Sequence, residues 1–209
     1  ILSLITIISF YDIYFIYLHL IVSICHYDMK KVLLHHTCKQ DGGEDYVQEN
    51  APFFARDFSQ GGKCQFLGSG YYLWEDDIEQ AHHWGKVHYN NQYYIVAFEC
   101  GIDEDFLLDL NSREGQKEFF ELCNLYKQKA KQINRSINIK KIYLNVFFNS
   151  LFKGEFGINF VYKAIKVKDE FASSKREKEF LFTSNKSNCT YLGGVYFYLF
   201  KRKEDMIVI

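Results

Sequence analysis

Proline is nearly absent, the single one being Pro52, and the six cysteines at 25, 38, 64, 100, 123 and 189 include no C-x-x-C pair. The missing pair excludes a zinc ribbon and a thioredoxin-type redox site. Reduced thiols in a cytoplasmic protein are the simplest reading. Neither sign of charge is in excess: 25 basic and 26 acidic residues give a net of -1, so no broad basic field grips nucleic acid without regard to sequence. A nucleic-acid substrate would need a local patch. Aromatics at 18% with so little proline point to an AT-rich coding sequence, so no single Tyr or Phe is by itself the sign of a cofactor.

What is present suffices for one domain of ordinary size: 209 residues, 48% of them hydrophobic. Residues 1–26 are almost wholly apolar around Asp12 and have no basic n-region, which makes a poor signal peptide. The run is long enough to span a bilayer, with Lys30 and Lys31 on its cytoplasmic flank. The first methionine is Met29, and MKKVLL has the form of a translation start. Residues 1–28 are therefore expected to be upstream translation or an N-terminal hydrophobic segment, and 29–209 a single domain; a membrane partner follows only if 1–26 are really translated.

Val32, Leu33 and Leu34 form a short apolar run expected to be a buried strand ending in His35, His36, Thr37 and Cys38, polar groups placed at the edge of a cleft. Residues 39–65, with Asp41-Gly42-Gly43 and Gly61-Gly62, read as a loop carrying a short helix near 44–50 and able to act as a lid. Residues 66–84, FLGSGYYLWEDDIEQAHHW, are central. Gly68 and Gly70 allow a sharp turn and close approach to a ligand, and Tyr71 and Tyr72 bring flat amphipathic faces to it. A helix is expected next, with Asp76 and Asp77 as capping and first-turn acids and Ile78, Ala81 and Trp84 at helical spacing. Strands are expected at 92–100 and 106–110, and Asn111-Ser112 can cap an amphipathic helix over 114–133 with Phe119, Phe120, Leu122, Cys123 and Tyr126 apolar. A second helix is expected over 139–152, then strands at 160–167, 180–183, 195–200 and 206–209. Before residue 180 lies a charged loop with Glu177 and Glu179, whose carboxylates share one side of an extended chain.

The order of these features, from an apolar strand ending in His with Thr close behind, through the Gly-x-Gly-x-Tyr turn and a helix, to the strand YIVAFEC, resembles the ADP-ribosyltransferase fold of the histidine-tyrosine-glutamate branch. That branch holds the diphtheria-toxin-like and poly-ADP-ribose polymerase catalytic domains and many small bacterial and phage proteins. The resemblance covers about residues 31–110, with a looser echo near the C-terminus. It implies an α+β fold with a split, mixed or antiparallel sheet core and flanking helices. It also implies NAD as substrate. His35, in a His-x-Thr form with Thr37, or His36, in a His-small form, would bond the adenosine ribose. Tyr72 would stack on nicotinamide, with His83 or Trp84 completing a sandwich. Gly68 and Gly70 would offer backbone groups to the carboxamide.

By the same resemblance Glu179 would hold the nicotinamide-ribose 2′-hydroxyl while positive charge grows on the ribose, as in glycoside cleavage, and Glu177 would orient or deprotonate the acceptor. The acceptor would be an unidentified protein or nucleic acid. A toxin or effector of this kind could be held in check by an antitoxin partner. No Ser-Thr-Ser and no His-Gly-Ser/Thr is present, and Arg is scarce, which sets aside the related tRNA 2′-phosphotransferase. A noncatalytic module on the same scaffold is the alternative. A metal site from His35, His36, His82, His83 and Cys38 is disfavoured, because neighbouring histidines diverge in a strand or a helix and only one of each pair could be a ligand.

Overall fold

The structure, a computed structural model, describes residues 29–57, 65–133, 142–170, 172 and 194–209. Within these the chain is α+β, with seven strands and four α-helices. The strands are β1 (Lys30–Lys39), β2 (Tyr71–Glu75), β3 (Tyr93–Ile102), β4 (Leu107–Asp109), β5 (Ala164–Lys168), β6 (Tyr196–Phe200) and β7 (Ile207–Val208). They form one curled sheet in the order β4-β5-β6-β2-β1-β3-β7. Among the described strands, only β4 and β5 pair in parallel. The longest of the described pairings is β1 with β3, from Lys30 opposite Ile102 to Lys39 opposite Tyr93, with Tyr93 to Cys100 a breaker-free run rich in branched and aromatic residues.

The helices are α1 (Gly43–Asn50), α2 (Ile78–His88), α3 (Arg113–Ile133) and α4 (Leu144–Phe152). The start of α3 is fixed by Ser112, whose Oγ accepts the Gly115 N–H at 2.9 Å. Its apolar stripe of Phe119, Leu122, Cys123, Tyr126 and Ala130 then packs with Phe147, Phe148 and Leu151 of α4 onto one face of the sheet. Among the described residues no helix is long and apolar enough to cross a membrane.

Cross-strand register decides which side chains share a face. Val167 is opposite Phe197, Phe197 opposite Trp74, and Trp74 opposite His35, so these four form a row on the helix-covered face. Leu108, Ile165, Leu199 and Tyr72 form the neighbouring row. Moving one residue along each strand reaches the other face, packed with Val32, Leu34, Leu73, Cys100, Ala164, Tyr198, Phe200 and Met206. Fully buried members such as Leu34 and Leu73 contribute about 1.5–3 kcal/mol each.

That second face also buries charge. Lys166 Nζ lies 2.6 Å from Glu75 Oε2 and 2.8 Å from Oε1, with side chains only 10% and 16% exposed. The ammonium sits 5.0 Å from the centre of the Tyr196 ring and 5.5 Å from that of Tyr198, and the Tyr198 hydroxyl donates to Glu75 Oε1 at 3.4 Å.

Several expectations need correction. The first strand, expected to end in His35 to Cys38, runs to Lys39, which leaves both histidines buried in mid-strand rather than at its end. The ten-residue pairing with β3 carries it past its apolar run. A whole strand, β2, separates the glycine turn from α2. Asp77 alone is the N-cap, accepting the Gln80 N–H at 2.9 Å, whereas Asp76 precedes it in a left-handed conformation (φ 44°). Phe120 is 64% exposed and lies off the α3 core stripe. The helix expected over 139–152 begins at Leu144, and the strand expected over 160–167 occupies Ala164–Lys168. Residues 1–28, Glu177, Glu179 and the strand expected at 180–183 lie outside the described residues.

Candidate functional site

The helix-covered face is not filled along its whole length. Where β1, β2 and β6 meet α2, a cavity of about 790 Å³ opens. Tyr72, Trp74 and Phe197 wall it from adjacent strands, and Trp84 from α2. Tyr72 and Trp74 face it together because they alternate along β2. Phe197 packs against both, at 5.8 Å from Tyr72 and 5.6 Å from Trp74 between ring centres. Trp84 reaches Trp74 at 5.8 Å. Its helix is tied down by Thr37, whose hydroxyl donates to the Ala81 carbonyl at 2.9 Å.

Tyr72 presents its ring to the cavity and its hydroxyl to the preceding turn. The hydroxyl donates to the Gly68 carbonyl at 2.6 Å and accepts the Leu67 N–H at 3.1 Å. Burial pushes the phenol well above its ordinary value, so it stays protonated. The turn is in turn bound to α4. Asn145 and Asn149 donate to Asp57 Oδ2 at 2.8 and 2.9 Å, and the Asn149 carbonyl oxygen accepts the Ser69 N–H at 2.9 Å. Gly68 has φ +96°, and a Cβ there would come within 2.5 Å of Asn149 Oδ1. Its glycine is demanded by both conformation and close packing.

The turn's backbone is already occupied. The Gly70 N–H donates to the Ala55 carbonyl at 3.0 Å, and the Ala55 N–H to the Gly70 carbonyl at 2.8 Å. The Gly68 N–H bonds Gln65, and that of Ser69 bonds Asn149. In this conformation no N–H at Gly68, Ser69 or Gly70 is left for a carboxamide; the two glycines serve packing, and the expected ligand role finds no donor there.

The two histidines differ sharply. His36 Nε2 accepts the Phe53 N–H at 3.0 Å, so the ring proton is on Nδ1 and donates to the Tyr72 carbonyl at 3.0 Å. Burial lowers its pKa and holds the ring neutral. His36 lines the cavity with both nitrogens engaged. His35 shares the face of Trp74, Tyr72 and Thr37 but does not line the cavity, and its buried Nδ1 has no hydrogen-bond partner among the described residues. Its pKa is also lowered by burial, opposed by the carboxylates of Asp76 and Asp77.

Of the other residues singled out by sequence, Thr37, Tyr72 and Trp84 reach the cavity. Tyr71 turns to the opposite face of the sheet and meets Phe54 edge-on at 5.3 Å. His83 is half-buried on α2 away from the lining. Sequence reasoning missed Trp74 and Phe197, and also Lys168 at the end of β5 with Asp169 and Glu170 after it, which line the cavity. The alternation Tyr72-x-Trp74 was the signal that could have exposed the wall. Among the described residues no cluster of three or more His, Cys, Asp or Glu could hold a metal ion. Compared with protein-family models, curated proteins and solved structures, the chain matches none.

Proposed function

We propose that the cavity is a NAD site and that the chain is a NAD-dependent mono-ADP-ribosyltransferase, a glycosyltransferase-class enzyme that releases nicotinamide and passes ADP-ribose to a macromolecular acceptor. One observation carries the reading: the Tyr72 ring, set by the glycine turn and β2, forms one wall of a cavity of about 790 Å³ beside Trp74, Phe197 and Trp84. That volume and those flat walls suit a nicotinamide ring with its ribose. Thr37 and His36 line the cavity, His36 with both ring nitrogens engaged, and His35 lies on the same face as Thr37 but outside the lining, so the two registers stand level. Glu179 and Glu177 would supply the carboxylates that glycosidic cleavage and acceptor activation require. The low reactivity of buried Cys38 and Cys100, with thiols pushed up to about 11, suits a thiol-independent reaction in the cytoplasm. An antitoxin partner, if the chain is a toxin or effector, would act by covering this cavity.

A second reading, a noncatalytic nucleotide-binding module, is favoured by the engaged N–H groups of Gly68, Ser69 and Gly70 and by the fully bonded His36. Purified protein incubated with labelled NAD and cell lysate separates the two. The enzyme is expected to release nicotinamide, to label a macromolecule, and to lose about a hundredfold or more of that rate in Glu179→Gln. Calorimetric NAD binding with no nicotinamide release selects the module, and no NAD binding at all removes both.

A further inference from the structure

Part of the cavity wall is held from behind by side chains that do not line it. Phe53, Phe54 and Ala55 face the cavity from the segment after α1, Gln65 and Phe66 from the approach to the glycine turn, and Tyr72 from β2. One carboxylate joins these pieces. Asp57 Oδ1 accepts the Gln65 N–H at 3.0 Å, and the Asp57 N–H donates to Ser69 Oγ at 2.9 Å. Its other oxygen accepts from both Asn145 and Asn149, at 2.8 and 2.9 Å. These asparagines are four residues apart on α4 and so share one side of it. Asn145 is buried, and its amide needs this partner. Asn149 also reaches the turn directly, its side-chain oxygen accepting the Ser69 N–H at 2.9 Å and packing against Gly68 too closely to admit a Cβ. The Gly68 carbonyl and the Leu67 N–H then fix the Tyr72 hydroxyl. An unbroken run of contacts thus leads from α4 to the Tyr72 ring.

We propose that Asn149 and Asp57 are positioning residues for this site. They hold the Tyr72 ring and the stretch of Gln65 and Phe66 in the arrangement that a flat ligand meets, and so act on affinity as well as on folding. Hydrogen bonds to a carboxylate are stronger than those between neutral groups, and here they converge on one atom from two helical turns. A wall fixed before binding relieves the ligand of ordering it. The inference rests on the proposed NAD reading for the identity of the ligand only; the hold on Tyr72 is independent of it.

The full chain tests this in two variants. Asn149→Asp keeps the oxygen that the Ser69 N–H needs and sets a second carboxylate against Asp57. Adding Asp57→Asn returns one amide and one carboxylate to the pair, with the ends exchanged. The Tyr72 ring resonance, in protein carrying isotopically labelled tyrosine and identified by its loss in Tyr72→Phe, should move in Asn149→Asp and return in the double variant. NAD, titrated calorimetrically, should bind Asn149→Asp about five- to fiftyfold more weakly and the double variant within about threefold of the parent. If Asn149→Asp does not fold, Asp57→Asn alone, which turns an acceptor into a donor, is read in its place against the same double variant. Either readout unmoved in the single variant, or moved and not recovered in the double one, overturns the proposal. Equal NAD affinity in parent and single variant does so while leaving the NAD reading intact. A parent that binds no NAD, with a Tyr72 resonance that moves and recovers, leaves the positioning role standing while the dinucleotide reading fails.

Discussion

The two faces of the sheet are made by the same strands, one residue out of phase, yet they treat polar groups in opposite ways. On the face of Leu34, Leu73 and Tyr198, the buried ammonium of Lys166 is matched by the Glu75 carboxylate and two aromatic rings. Charge there is closed on itself. On the face of Tyr72, Trp74 and Phe197, packing by α3 and α4 gives way to a cavity, and His35 keeps a buried nitrogen without a partner among the described residues. His36, the next residue, points the other way from the strand, lines the cavity, and has both ring nitrogens bonded. A strand's alternation has thus sorted two identical side chains into a structural one and an unspent one.

The contrast can be broken most severely on the closed side. Glu75→Leu leaves the Lys166 ammonium buried without a counter-ion and is expected to cost about 3–5 kcal/mol by urea denaturation, with most of it regained in Glu75→Leu/Lys166→Met. His36→Ala strands the Phe53 N–H and removes the donor to the Tyr72 carbonyl, at a cost of about 2–4 kcal/mol in the same assay. On the open side Tyr72→Phe keeps the wall and removes only the hydroxyl's two bonds. It should cost about 1–2 kcal/mol and loosen the glycine turn, read as faster amide exchange at Leu67.

The smallest effect is that of pH. Folding holds His35 and His36 below their ordinary pKa, so below about pH 6.5 the unfolded chain binds more protons than the folded one. Stability is therefore full above that pH and declines as the solution is acidified through it. The decline should be shallower in His36→Gln than in the parent, measured by the urea midpoint between pH 7 and 5.

Much of this architecture was written locally in the chain. The apolar stripe of α3 and the Ser112 cap are helical signals read within a few residues, and QYYIVAFEC is a strand by composition. The α+β class, which the resemblance implied, is the one the described residues form. Three features were not legible because they depend on partners far along the chain. β2 looked like a turn running into a helix, since its strand character comes from β1 and β6 on either side. Gly68 and Gly70 suggested ligand contact, whereas Asn149 of α4 and Phe200 of β6 are what they approach. The cavity wall needed Phe197, more than a hundred residues from Trp74 in sequence, to be placed beside it. Glu177 and Glu179, on which the chemistry of the proposal turns, lie outside the described residues.

The chain has only two tryptophans, and both Trp74 and Trp84 line the cavity. Its indole emission is accordingly a built-in lamp at one location. Any molecule that enters should change the brightness or colour of that light without a label being attached, and a substitution elsewhere that leaves the spectrum untouched has left this chamber intact.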